Sequence, residues 1–353
     1  MAEELIQREM PGAAESKTLR RPQDALFCNM ELPLRGTFFP LGYPVEILTN
    51  DYGVLKAAHE SFGHAQFMRM ATTLQLRFGV SHEGGYECPA EPTRREFGHL
   101  YSLVADVSNQ SLLDLRTCIS FTWLTRAAVK NRLYFRLNFL EKVVYLLLGA
   151  SVVTDLHAAC VSKNGKGILI FGDSGAGKST IAYGCARAGW TYTSDDTSYL
   201  INGSNPPRVI GHAHRARFRP TAKSLFPELE CRELTPRLEG KPSIEVPTSE
   251  LPIRSTSAEA AINCIVYLAR HSSTSARLTA LPRGTATQRA CQELYSAGEI
   301  RAKHEEILGC LSEIPTYELE YSDLNDAIQA LDLLARSGES NGIPLSDSSQ
   351  SRV

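Results

Sequence analysis

The chain has 353 residues, enough for one large or two ordinary domains, and its 43% hydrophobic and 22% charged residues are those of a globular protein. A formal net charge of -2 supplies no basic field to recruit nucleic acid or an anionic membrane, so neither is expected as a partner. The most apolar run, Val143 to Val153, is too short to span a bilayer and reads as a buried helix leading into a strand.

Residues 1–22 are polar and charged, with Pro11 and Pro22, the composition of a disordered segment. Residues 23–150 read as a mixed α/β region, suited to binding an acceptor or to oligomerisation. Val45 to Leu48 alternates like a strand. Asp51 to Phe62 has helical spacing, with Asn50 or Asp51 as its cap. Leu74 to Val80, Tyr101 to Val107 and Leu112 to Leu124 follow as strand, and Phe139 to Leu148 as helix. Residues 151–336 form a second α/β region. His157 to Val161 and Gly167 to Phe171 pair as a hairpin around Asn164-Gly165. A helix over Thr180 to Ala188 stops at Gly189. Trp190 to Ser194, Ile262 to Ala269 and Thr316 to Tyr321 are strands. Ala286 to Ser296, Arg301 to Leu311 and Leu324 to Leu334 are helices. Residues 337–353, rich in Ser, Gly and Asp, read as a disordered tail.

The nine cysteines are scattered without a C-x-x-C pair or metal-ligand spacing. With no apolar secretory core at the N-terminus, they fit a reduced, cytoplasmic protein with buried thiols.

One stretch carries chemistry. Gly172-Asp173-Ser174-Gly175-Ala176-Gly177-Lys178-Ser179 matches the phosphate-loop pattern G-x-x-x-x-G-K-[ST] at every fixed position, between an expected strand and an expected helix. Glycines let backbone N–H groups turn toward phosphate oxygens, and the helix N-terminus adds partial positive charge. Residues 172–180, from Gly172 through Lys178, Ser179 and Thr180, are therefore the candidate ATP site. Lys178 would reach the β/γ-phosphates and Ser179 would ligate Mg²⁺. The pair Asp195-Asp196 ends the next strand, where open α/β sheets place their ligands. One carboxylate there can hold Mg²⁺ while the other takes a proton. The competing reading of the pair is a turn cap before Tyr199. His157 alone reads more readily as structural than catalytic.

Leu156-His157-Ala158, Gly172 to Ser179 and Ser194-Asp195-Asp196 together resemble the catalytic domain of HPr kinase/phosphorylase over about His157 to Leu200. The resemblance implies a P-loop core related to phosphoenolpyruvate carboxykinase and ATP-dependent phosphorylation of a protein seryl hydroxyl. It puts Lys178 on the phosphates and Mg²⁺ on Ser179, makes Asp196 the general base supported by His157, and implies a homo-oligomer; Asp195, the other carboxylate of the pair, is then the candidate Mg²⁺ ligand beside Ser179. This chain departs from the family where Thr180 replaces a glutamate, where the I-E-x-R-G-x-G stretch is missing, and where Pro282-Arg283-Gly284 only echoes R-P-G-R-N. The acceptor is then a protein or peptide other than HPr. A small-molecule kinase and a catalytically inactive nucleotide-binding regulator are the alternatives.

Several other groups bear on this site. Arg215, Arg217 and Arg219 alternate on one face, either to contact nucleotide or acceptor or as a solvated strand. Lys241 is a candidate phosphate contact and Glu245 a candidate replacement Mg²⁺ ligand. His59 and His64 read as surface or interface residues, and His82, Glu83 and His99 lack metal spacing. Trp123 and Trp190 read as core, and His304 to Glu306 as a solvated helix face.

Overall fold

The computed structural model describes residues 30–64, 69–81, 87–235, 241–271, 275–294, 296 and 298–337. Residues 1–22, His82, Glu83 and residues 338–353 lie outside the described residues.

The first sheet is built from β1 (Leu34–Phe38), β2 (Val45–Thr49), β3 (Leu74–Ser81), β4 (Thr93–Phe97), β5 (Leu100–Asp106), β6 (Asn109–Asp114) and β7 (Ile119–Thr125). Their order is β1-β2-β3-β7-β6-β5-β4. β3 is parallel to both β2 and β7, and it buries Leu74, Leu76, Phe78 and Val80 on one face while Gln75 and Arg77 stay half-buried on the other. Helix α1 (Tyr52–Phe62) starts at Asp51, whose carboxylate accepts the Gly53 amide at 2.6 Å. A helical run closes this half: α2 (Arg126–Lys130), α3 (Arg132–Phe135), a π turn over Arg136–Leu140 and α4 (Glu141–Ser151). The run from Val143 to Val153 is thus a buried helix entering a strand, as its composition implies. The expected strand over Leu112 to Leu124 is instead two strands, β6 and β7. The Asp114 carboxylate holds the amides of Arg116 and Thr117, and Cys118 takes φ 57° to turn the chain back.

The second sheet uses β8 (Val153–Leu156), β9 (Ala159–Lys163), β10 (Lys166–Phe171), β11 (Thr191–Ser194), β12 (Ser198–Ile201) and β13 (Arg208–Gly211). After the hairpin β14 (Arg215–Phe218) and β15 (Ile244–Pro247) come β16 (Ser255–Thr256), β17 (Glu259–Arg270), β18 (Arg277–Ala280) and β19 (Thr316–Tyr321). The order is β16-β11-β9-β10-β17-β13-β12-β8, with β19 between β17 and β18. Helix α5 (Lys178–Arg187) packs on this sheet beside β9 and β11, and α6 (Thr285–Gln292), α7 (Gly298–Leu308) and α8 (Leu324–Ser337) complete the layers. α8 runs through Ser337, the first residue of the expected tail. The two sheets and their helices make the protein a mixed α/β fold.

The topology sets where the chemistry can lie. β10 runs antiparallel to β9, and β9 antiparallel to β11, so β10 and β11 point the same way. β17 is parallel to β10 and β19 is parallel to β17. The C-terminal ends of β10, β11 and β19 therefore share one edge with the start of β9.

The core beneath that edge includes Trp190, Tyr183, Tyr192 and Phe218, all essentially inaccessible. Phe218, with no polar atom to desolvate, contributes roughly 1.5–3 kcal/mol by leaving water. Trp190 is core as expected, whereas Trp123 is half-buried in β7. His304, read as solvated, is buried: its ring bonds the Gly149 carbonyl at 2.8 Å and the Ser296 hydroxyl at 3.0 Å. Among the described residues every cysteine is a free thiol. Cys160 and Cys185 are buried as expected, but Cys88, Cys231 and Cys310 are exposed. No described helix is long and apolar enough to cross a membrane.

Candidate active site

The Gly172–Gly177 loop joins β10 to α5. Gly175 and Gly177 sit at φ 96° and 104°, a region that L side chains avoid. Asp173, Ser174 and Gly175 form an exposed crown, and the Asp173 carbonyl accepts the Ala176 amide at 3.0 Å to make its turn. No side chain caps α5, so the amides of its first turn remain to be satisfied. Lys178 is 7% exposed and curls back to donate to the carbonyls of Gly172 and Asp173. Burial lowers its pKa, while Asp196, Glu293 and Asp173 pull the other way. The Tyr321 hydroxyl, from the end of β19, donates to the Ala176 carbonyl and braces the loop from below.

Asp195 and Asp196 follow β11, across that same edge, and their environments differ. Asp195 is buried. Its carboxylate accepts the Arg217 amide at 2.8 Å, and its own carbonyl accepts the Ser179 hydroxyl at 3.3 Å. Burial pushes the Asp195 carboxyl up to about 7, against the Arg217 amide, and the neighbouring Asp196 adds to the rise. Asp196 is half-exposed. One of its oxygens accepts from the Arg217 guanidinium at 2.7 Å, and the other lies 3.7 Å from His157 Nδ1. His157 stands between β8 and β9 rather than inside a hairpin strand. That position brings its ring to the edge where Asp196 emerges.

An expected result follows from Asp195. Its folded pKa lies above the unfolded value, so its contribution to stability is full below about pH 4 and is lost as pH rises through about 7. Asp195→Asn should flatten the pH dependence of urea unfolding between those limits and raise stability at pH 8. An unchanged slope would mean that the carboxyl is ionised throughout.

Thus Lys178, Ser179, Thr180, Asp195, Asp196 and His157 converge on one edge together with the loop. Of the arginine cluster, Arg217 joins them, Arg215 faces Glu245 at 3.9 Å, and Arg219 is exposed beyond the strand. Glu245 lies 3.5 Å from Arg217. Lys241 is exposed, and no contact joins it to the loop among the described residues. Arg283 forms a surface ion pair with Glu313. Two further residues, with no local sequence signal, stand at the site. Tyr321 ends an expected strand whose place in the sheet no local signal reveals. Glu293 lines a small hollow with His157 and Phe171, and burial pushes its carboxyl up against the pull of His157 and Lys178. Among the described residues no group of three or more His, Cys, Asp or Glu is set to hold a metal ion.

No protein-family model matches the chain, and no curated protein matches it. Among solved structures it is similar to the HPr(Ser) kinase/phosphatase from Coxiella burnetii, at 15% identity and a TM-score of 0.28, over 53% of this chain and 96% of that chain. At that TM-score the likeness establishes nothing about chemistry.

Proposed function

We propose that this chain is a Mg-ATP-dependent kinase that passes the γ-phosphate to a hydroxyl, seryl by the family resemblance, of a protein or peptide. One observation carries the reading: a glycine loop ending in buried Lys178 shares a sheet edge with Asp196, which is half-exposed between His157 and Arg217. Phosphate oxygens would replace the Gly172 and Asp173 carbonyls at Lys178, and the uncapped amides of α5 would complete the cradle. Ser179 and a carboxylate of the Asp195–Asp196 pair offer oxygen donors that suit Mg²⁺. Bound there, the ion would neutralise phosphate charge. Asp196 takes the proton of the acceptor hydroxyl as its oxygen bonds to the γ-phosphorus. The bond from that phosphorus to the β,γ-bridging oxygen breaks, and ADP leaves. His157 and Arg217 fix the orientation of Asp196. Phosphoryl transfer needs mainly positioning and charge neutralisation, which this set of groups supplies.

The test is transfer from γ-labelled ATP with Mg²⁺ into a lysate of the source organism, with wild type beside Lys178→Ala and Asp196→Asn. A labelled protein or peptide band with wild type alone is expected. Label appearing only in small molecules would replace the acceptor class, and no transfer despite ATP binding would remove the kinase reading.

A further inference from the structure

A second cavity, of about 280 Å³, opens between the end of α1, helix α4 and the β14–β15 hairpin. That volume is at the small end of ligand pockets. His64 borders it from the α1 side, Tyr145 from α4, and His212, His214 and Arg215 from the approach to β14. Three carboxylates also face it, Glu60, Glu141 and Glu245, together with Arg136.

The carboxylates are already matched. Glu141 accepts from Arg136 at 3.0 Å and from Ser61 at 2.7 Å. Glu60 lies 3.6 Å from Arg132. Glu245 is shared between Arg217 at 3.5 Å and Arg215 at 3.9 Å. The nitrogen groups are not matched. None of the three imidazoles makes a hydrogen bond among the described residues, although each makes ring contacts. His64 and His214 lie with ring centroids 3.7 Å apart, and His212 stands edge-on to both His214 and Tyr145. Among the described residues Arg215 has only the distant Glu245 as an ion-pair partner, and 43% of its side chain is exposed. Burial, reinforced by the Arg215 charge, lowers the pKa of all three rings, that of His214 to about 4. The unmatched imidazole donors and the Arg215 guanidinium therefore lie together in the cavity.

We propose that this cavity is a second ligand site, separate from the Gly172 loop, which takes a compact oxyanion (a phosphate or carboxylate group) between Arg215 and the imidazoles of His64, His212 and His214. Partly stacked rings do not converge on a point as cation ligands would, and no metal-holding group is found there among the described residues. An anion offers acceptors to the imidazole N–H groups and a partner to the guanidinium. It also favours the charged form of each ring, so binding takes up protons and tightens as pH falls. Glu60, Glu141 and Glu245, the Tyr145 phenol and Arg136 are the other ionisable groups that face the rings. The site is also wired to the first one. Arg215, Glu245, Arg217 and Asp196 form an alternating ladder of ion pairs, so an occupant would sit at its far end.

The experiment is imidazole NMR on the full chain with ¹⁵N-histidine, titrated separately with inorganic phosphate and with succinate at pH 6.5. The Lys178→Ala chain is run in parallel to disable the first anion site. Saturable shifts of the three cluster resonances are expected in both chains, with affinity at least tenfold weaker in Arg215→Gln. His64→Gln, at the exposed end of α1, gives the same weakening if Arg215→Gln fails to fold. Response to phosphate alone assigns a phosphorylated ligand, to succinate alone a carboxylate, and to both an oxyanion in general. No saturable shift with either probe, or a shift indifferent to these substitutions or lost in Lys178→Ala, overturns the site. None of these outcomes depends on kinase activity.

Discussion

Asp196→Asn is expected to leave nucleotide binding intact and to lower phosphoryl transfer by about 10²- to 10⁴-fold, the range for losing a positioned general base. The amide keeps the shape of the side chain and its place beside Arg217, which holds the carboxylate at 2.7 Å. It cannot accept the acceptor proton. His157 lies 3.7 Å from the opposite oxygen, beyond a hydrogen bond but close enough to steer it. Asp195 is a poor substitute because its carboxylate is buried and held by the Arg217 amide, out of reach of an acceptor. The measurement is ATP affinity by calorimetry beside a single-turnover transfer rate. A rate within threefold of wild type would remove Asp196 as the base. Loss of affinity with an unchanged bound-state rate would make it a nucleotide ligand instead.

Gly177→Ala should damage both stability and nucleotide binding. Gly177 sits at φ 104°, where a Cβ costs roughly 1–3 kcal/mol in backbone strain. Its Cβ would also collide with the Tyr321 hydroxyl, which is held in place by its bond to the Ala176 carbonyl. The loop must then move, and Lys178 and the first amides of α5 move with it. Gly175→Ala is the control: it has comparable φ strain at 96° but open space around the new methyl. Urea unfolding and ATP titration should rank wild type above Gly175→Ala and Gly175→Ala above Gly177→Ala. The double variant Gly177→Ala/Tyr321→Phe should recover part of the difference, because the collision is with the hydroxyl and the strain is not. Equal behaviour of the two single variants would show that Tyr321 does not brace the loop.

The candidate site was legible in the sequence to the extent that it is made by the local backbone. The glycines of residues 172–177, the helix beginning at Lys178, the Asn164-Gly165 turn and the Asp195-Asp196 pair after a short strand are all specified by residues a few positions apart. Asn164 and Gly165 do take left-handed backbone, at φ 51° and 78°, so the hairpin β9–β10 forms where expected. The turn between β6 and β7 was missed because Cys118, not a glycine or asparagine, occupies its left-handed position. His304 was misread for a related reason. Its neighbours Glu305 and Glu306 are exposed, and only the packing of α7 against the Gly149 carbonyl decides that the ring is buried.

Local chemistry therefore determined the loop, its helix and the carboxylate pair, since hydrogen bonding and backbone freedom over a few residues suffice for each. Tertiary structure decided who meets whom. The order of the second sheet brings Tyr321 under Gly177, sets Arg217 against Asp196 across 21 residues of chain, and closes the three-histidine cavity from elements about 150 residues apart. Such pairings depend on strand register and on which faces must be buried together, and those are properties of the whole core rather than of any segment.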